Sequence, residues 1–150
     1  MKRIYLEEVF DYKGYKCACV FNAGGYRCGY VAVDESHPYY KMDYTDDGPN
    51  EVMCHWGLTY SGEGRHFYDD FDDLWWFGFD CGHCYDSNDY DLAIEYFPHL
   101  KEHLLWTKEI EGRYPIGKEI RTLEYVEKEC KKLAEQLKIY DDNKSKGCEE

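Results

Sequence analysis

The chain lacks long apolar runs. No stretch approaches the roughly 18 consecutive apolar residues of a membrane-spanning helix. The first eight residues carry no apolar signal core, because Glu7 and Glu8 interrupt it. We therefore expect a soluble protein that stays in the cytoplasm and makes no contact with a membrane.

Positive charge is also scarce. Lys and Arg number 18 against 31 Asp and Glu, which gives a formal net charge of −13. A chain of this charge is repelled by phosphate backbones, so direct binding to DNA or RNA is disfavoured. An acidic surface does suit a protein partner with a basic groove, including one that normally holds nucleic acid. Simple solubility is the alternative explanation of the charge.

Cysteine is too sparse for a fold built on disulfides. Eight cysteines in 150 residues fall below the about 8–10% of small disulfide-rich secreted domains, so we expect mostly reduced thiols. Hydrophobic residues make up 43% of the chain and aromatic residues 18%, which supplies a real core and excludes global disorder. At this length the chain fits one domain, which we expect over residues 1–140.

The first half of the sequence predicts strands. The clearest hairpin joins residues 15–21 to residues 26–33 through Asn22-Ala23-Gly24-Gly25, where the glycines supply the positive φ of a short turn. Residues 36–50 read as a long surface loop. The runs at residues 52–60 and 74–79 predict two further strands.

The second half of the sequence is helical. We expect a helical insert over about residues 87–116, interrupted at Pro98. A long amphipathic helix follows a cap at Thr122, because apolar residues recur there at spacings of three and four. Residues 141–150 should form a disordered tail. The predicted fold is therefore α+β: a single two-layer domain with a mainly antiparallel sheet of about five strands, a long C-terminal helix packed on it and a helical insert.

Two thiols stand in the densest part of the chain, Cys81-Gly82-His83-Cys84. The spacing is that of a redox dithiol, but Asp80 would raise the pKa of the first thiol, and helices rather than further strands follow the motif. Structural zinc is an alternative, with Cys81 and Cys84 as two ligands. The other zinc ligands would come from Cys17, Cys19, Cys28, Cys54 or His55. Burial of the thiols as small core side chains is the simplest interpretation.

Histidines and carboxylates offer a different centre. Asp80, His83 and Asp86 are three residues apart, so one turn would place them on the same side, and His55 could join them. Such a group could hold a divalent metal or carry out acid and base steps of hydrolysis. The alternative is that each side chain only completes hydrogen bonds at strand ends or turns.

Aromatic residues precede this group. Trp75 and Trp76 must point to opposite faces of their strand, so one of them has to be covered by something other than the main core. With Tyr60, Phe79 and Tyr85, they could stack a nucleobase or form the hot spot of a protein interface. Packing within the core is the more common use of such a run.

Four segments of the sequence carry a resemblance to known proteins: His37-Pro38, His55-Trp56-Gly57-Leu58-Thr59-Tyr60, the run from Trp75 to Asp86, and Arg121-Thr122-Leu123-Glu124-Tyr125-Val126. In these segments the chain resembles a family of small uncharacterised proteins of phages, prophages and other mobile elements. This chain departs from the family pattern at Trp56 and Tyr85, where relatives have Gly, and at Gly82 and Cys84, where they have Ala. The resemblance implies a mobile-element setting and no particular reaction. The matching functional residue types are His37, His55, Asp80, Cys81, His83, Asp86 and Arg121.

These observations lead to three hypotheses. The first is a non-enzymatic counter-defence protein in the host cytoplasm, which needs no cofactor and binds a host protein or sequesters a small nucleotide. The second is a metal-dependent hydrolase whose catalytic centre is His55, Asp80, His83 and Asp86, with a divalent ion such as zinc held by Asp80, His83 and Asp86 or by Cys81 and Cys84. The third is a domain in which the same polar side chains serve structure alone. The binding residues of the first hypothesis are His37, Tyr60, Trp76, His83 and Arg121.

Overall fold

A computed structural model describes residues 3–68, 73–83, 85–113 and 119–147 of the chain. The strands are β1 (Ile4–Tyr12), β2 (Tyr15–Asn22), β3 (Arg27–Val33), β4 (Tyr60–Gly62), β5 (Trp75–Asp80), β6 (Asp86–Ser87) and β7 (Glu119–Ile120). The helices are α1 (Tyr90–Tyr96), α2 (Lys101–Gly112) and α3 (Leu123–Gly147), with short 3-10 helices at Pro49–Glu51 and Pro98–Leu100. Within these ranges no helix has the length and apolar character needed to cross a bilayer.

Five strands form one antiparallel sheet in the order β1-β2-β3-β5-β4, which confirms the predicted α+β fold. The predicted hairpin joins β2 to β3. Its turn is closed by Asn22, whose N–H donates to the Tyr26 carbonyl at 3.0 Å, and Gly25 adopts a φ of +94°. Strands β6 and β7 form a separate parallel pair.

Helix α3 covers one face of the sheet. Thr122 caps it as predicted, because its Oγ1 accepts from the Tyr125 N–H at 3.2 Å. The apolar stripe of the helix is buried against alternate residues of β2, β3 and β5. Beside α3, the insert formed by α1 and α2 packs on Phe21 at the end of β2. The α3 side chains at this interface are Val126, Cys130, Leu133, Ala134 and Leu137.

The opposite face of the sheet is covered by the chain that follows β4. Trp75 faces α3, where its Nε1 donates to the Met42 carbonyl at 2.8 Å, and Trp76 points the other way. Trp76 is buried by the rings of Phe67 and Tyr68, whose centroids lie 5.1 and 5.7 Å away. The expectation that one tryptophan needs separate cover is confirmed, and this loop supplies the cover.

The structure differs from the sequence prediction at two places. Residues 52–59 form turns and bends, and the predicted strand is reduced to β4. The cause is a reversal of the backbone, with φ of +58° at Trp56 and +83° at Gly57 and a hydrogen bond from the Gly57 N–H to the Cys54 carbonyl. Helix α3 also continues to Gly147, through residues 141–147 of the expected disordered tail.

Candidate functional site

The polar side chains converge at the end of the sheet where β5 leaves it. The short β6–β7 pair sets Asp86 opposite Glu119 and so brings it next to Arg121 at the start of α3. Arg27 of β3 holds the backbone at Arg121 in place. Its Nη1 donates to the Arg121 carbonyl at 3.0 Å, and its Nε pairs with Glu7 at 2.7 Å. The loop before β4 supplies His55 from the other side.

Asp86 lies at the centre of the site, and its side chain is 0% exposed. Its carboxylate accepts from Arg121 Nε at 2.8 Å, from His55 Nε2 at 2.8 and 3.0 Å, and from the His83 N–H at 3.1 Å. Burial alone would raise the pKa of Asp86, but these hydrogen bonds outweigh it and lower the pKa below its ordinary value. The side chain is therefore a carboxylate at neutral pH.

His55 joins Asp86 to Tyr125. Its Nε2 faces the carboxylate, and its Nδ1 lies 2.6 Å from the Tyr125 hydroxyl. Burial raises the pKa of Tyr125, so the phenol keeps its proton at neutral pH. Arg121 lies over the Tyr125 ring with its guanidinium carbon 5.0 Å from the centroid. The imidazole is thus held at both nitrogens by partners on two different elements.

His83 stands at the outer side of this network. Its Nδ1 lies 3.3 Å from Asp80 Oδ1 and 3.2 Å from the Asp80 carbonyl. Its ring makes an edge contact with that of His55, with centroids 6.3 Å apart. One potential ligand atom from each of His55, His83 and Asp86 lies within 4.8 Å of the other two. The predicted convergence of these three residues is found, and Asp80 reaches it through His83.

A group of three rings, the exposed Trp56 and Tyr85 and the partly buried His83, borders the site; we call it the aromatic patch. The rings of His83 and Tyr85 lie within 16° of parallel to that of Trp56, at centroid distances of 5.5 and 6.2 Å. Trp56 is 54% exposed and Tyr85 58%. Trp56 also has a positive φ, a conformation that disfavours bulky side chains.

Three residues of the predicted binding set lie elsewhere. His37 is buried, with Nε2 2.7 Å from the Leu137 carbonyl and Nδ1 accepting from the Tyr39 N–H, so it ties a loop to α3. Tyr60 and Trp76 lie on the face of the sheet that α3 leaves uncovered, with Phe67. The first hypothesis grouped these two rings with His83 as binding residues, but among the described residues neither ring contacts that of His83.

The thiols do not build a metal centre in the part of the chain that the structure describes. Cys84 lies outside the described residues, and Cys81 is buried. Burial, with smaller effects of neighbouring carboxylates, raises the pKa of Cys81, which is the wrong direction for a reactive thiolate. Within the same residues the one group of three potential metal ligands is His55, His83 and Asp86.

Sequence reasoning missed two members of the site, Tyr125 and Trp56. Tyr125 lies within the Arg121-to-Val126 segment, and its spacing of four from Arg121 was the available signal. For Trp56 the available signal was its departure from the Gly that the expected family pattern has at this position. No family model, curated protein or solved structure matches this chain.

Proposed function

We propose that this chain is a non-enzymatic binding protein that holds a host protein against its aromatic patch. The setting is a phage or another mobile element, where the protein acts in the host cytoplasm to counter a defence system. The motif resemblance alone supports that setting. The observation that carries the binding role is the stack of Trp56, His83 and Tyr85 beside a buried polar network, with Trp56 and Tyr85 exposed.

The composition of the patch supports a protein partner. Tryptophan and tyrosine are enriched among the residues that dominate binding free energy at protein interfaces. Trp56 and Tyr85 are each more than half exposed, although aromatic side chains of this size are usually covered. A partner that covered both rings would remove apolar surface from water, which is the main source of affinity at such sites.

The backbone of Trp56 supports the same role. A left-handed conformation costs a residue other than glycine about 1–2 kcal/mol, and Trp56 adopts it with φ of +58°. Strained residues of this kind cluster at functional sites, because the cost is tolerated where the side chain is used. The loop therefore holds a bulky ring outward at a position where glycine would be more stable.

Charge supports a basic partner. Asp80 and the exposed Glu119 lie next to the patch, through His83 and through the backbone of Tyr85. With a net charge of −13, the chain attracts positively charged surfaces and binds them faster at low salt. A host protein with a basic groove fits both the rings and the charge.

Nucleotide sequestration has less support. The cavity next to Trp76 measures about 110 Å³, well below the roughly 300 Å³ at which small-molecule sites begin. Arg121, which would compensate a phosphate, is already paired with Asp86 and Glu119. A phosphate would have to displace one of these carboxylates.

Capture experiments with two single-tryptophan variants test the proposal. Trp56→Gly removes the central ring at a backbone position that glycine tolerates, and Trp106→Ala removes a tryptophan that is 61% exposed on α2 and is not a member of the patch. The immobilised chain is incubated with extract of the bacterial host, and each captured protein is purified and titrated against both variants. We expect Trp56→Gly to weaken binding by about 30-fold or more, the effect of a hot-spot residue, and Trp106→Ala to leave it within about twofold. Equal binding by wild type and Trp56→Gly would contradict the proposal.

A further inference from the structure

Two imidazoles and one carboxylate lie around a common point beside the aromatic patch, and partner binding by the patch does not explain this convergence. We infer that His55, His83 and Asp86 form a binding site for a divalent transition metal of the zinc type. The three potential ligand atoms lie within 4.8 Å of one another, and they come from the loop before β4, the loop after β5 and strand β6. This inference does not rest on the proposed partner binding, although His83 belongs to both sites.

The outer contacts of these residues are those of a metal site. Ligating histidines almost always have their second ring nitrogen held by a carboxylate, a carbonyl or another polar group. Here Asp80 holds Nδ1 of His83, and the Tyr125 hydroxyl holds Nδ1 of His55. An ion would then be bound by Nε2 in both rings, and in His55 it would replace the hydrogen bond from Nε2 to Asp86. In this arrangement Asp80 is not a ligand; it orients the ring of His83.

Arg121 orients the third ligand. It donates to Asp86 Oδ1 at 2.8 Å, and the shorter contact from His55 is to Oδ2, also at 2.8 Å. Arg121 lowers the local affinity for a cation, but Glu119 pairs with Arg121 and Asp80 pairs with His83. Three carboxylates against one guanidinium leave two negative charges, which a divalent ion would neutralise.

The geometry closes around an ion with small movements. Bonds of about 2.0–2.1 Å at a tetrahedral centre place two ligand atoms roughly 3.3 Å apart. His55 Nε2 and Asp86 Oδ2 are 2.8 Å apart, so they separate by about 0.5 Å as the ion replaces the proton that they share. The ligand atom of the partly exposed His83 lies within 4.8 Å of the other two, so it approaches by at most about 1.5 Å, and it lies on the surface loop where such a movement costs least.

The ligand set indicates the class of metal. Imidazole nitrogens favour zinc, cobalt and iron over magnesium and calcium, which prefer ligand sets made of oxygen alone. A set of three protein ligands leaves a fourth position for water or for a donor atom from another molecule. Trp56 stacks on the ring of His83, so the aromatic patch borders the centre.

Direct metal titration tests the inference on the purified full-length chain after removal of bound ions with a chelator. We expect one Zn²⁺ per chain in a competition assay with a chromogenic chelator. His83→Ala should weaken this binding at least 100-fold, and Asp80→Asn should weaken it about 10-fold, as loss of an outer contact does. His103→Ala is the matched control, because His103 is exposed on α2, and it should leave the affinity unchanged.

Cobalt separates this site from the thiols. Co²⁺ bound by nitrogen and oxygen should give visible d–d bands without the intense near-ultraviolet absorption of cobalt–thiolate bonds, and Zn²⁺ should abolish the bands. A thiolate spectrum would place the ion on cysteine and overturn the inference. So would the absence of stoichiometric binding at about 10 μM Zn²⁺, or full affinity in His83→Ala. The wild-type spectrum identifies the ligands even if a variant folds poorly.

Discussion

Asp86→Asn is the sharpest test of the buried network, because it preserves side-chain volume while it removes the charge and turns one acceptor oxygen into an NH2 donor. The carboxylate loses its charge-assisted bond with Arg121, which is worth about 1.5–3 kcal/mol. The new amide group also faces the His55 or His83 donors, and such an unsatisfied contact costs about 1–3 kcal/mol. Arg121 keeps Glu119 and some access to water, which reduces the sum. We expect the free energy of unfolding to fall by about 3 kcal/mol, the lower end of the range for a broken buried pair.

Urea denaturation followed by circular dichroism measures this loss. With a slope of about 2 kcal/mol per molar urea, the midpoint should fall by roughly 1.5 M. Asp91→Asn is the control: this exposed carboxylate pairs with Lys108, and its loss should cost less than about 0.5 kcal/mol. A loss below about 1 kcal/mol in Asp86→Asn would refute the view that the network stabilises this end of the sheet.

The pH dependence gives an independent reading of the same group. The pKa of Asp86 is lowered in the folded chain, so the unfolded chain takes up its proton first as pH falls. The stabilisation is fully present above the ordinary aspartate pKa, around pH 4, and is lost as pH falls through the lower folded value. On acidification below about pH 4, the free energy of unfolding should therefore fall more in the wild type than in Asp86→Asn. Parallel pH profiles of the two proteins would contradict the assignment.

Three further predictions concern the core, the hydrogen bond between His37 and α3, and the thiols. Gly29→Ala should lower the free energy of unfolding by about 1–3 kcal/mol, because the added Cβ would overlap the Phe79 ring and lie 2.8 Å from Cys130 Sγ. Gly112→Ala is the control, because nothing lies within 4 Å of a Cβ added there. Equal urea midpoints of the two variants would contradict the packing at Gly29. His37→Ala should lower the thermal midpoint by several degrees, since a buried hydrogen bond to α3 is lost, while leaving zinc affinity unchanged; a parallel loss of zinc affinity would count against a purely structural role. Burial raises the pKa of Cys17 and Cys28 to about 12. Alkylation of these two buried thiols at pH 8, located by mass spectrometry, should therefore be at least about 100-fold slower in the native than in the denatured chain. Fast native labelling would refute their burial.

The fold was largely predictable because its main elements follow local rules. The apolar stripe of α3 repeats at helical spacing, and the Asn22-to-Gly25 turn supplies the conformations that a hairpin needs. The strand predicted over residues 52–60 was wrong, because the apolar composition there is that of a strand while the backbone reverses at Trp56 and Gly57. A tertiary use of that loop, the placement of His55 in the interior, overrides the local preference.

The site was predictable in part. The spacing of Asp80, His83 and Asp86 placed two of the three convergent residues, because one turn brings residues three apart to the same side. Nothing in the spacing tells that Asp86 turns inward to Arg121 while Asp80 remains at the rim. That division depends on the β6–β7 pair, whose partner strand follows more than 30 residues later.

The two proposals share His83, but they can fail separately. Trp56 contributes a ring to the patch and no ligand atom to the ion, so Trp56→Gly should weaken a partner and leave Zn²⁺ in place. Asp80 contacts the ion site only through His83 Nδ1, so Asp80→Asn acts first on the metal. If Zn²⁺ fixes the His83 ring, it also fixes the surface on which Trp56 stacks. Metal and partner would then strengthen each other's binding by the same factor, since such coupling is reciprocal.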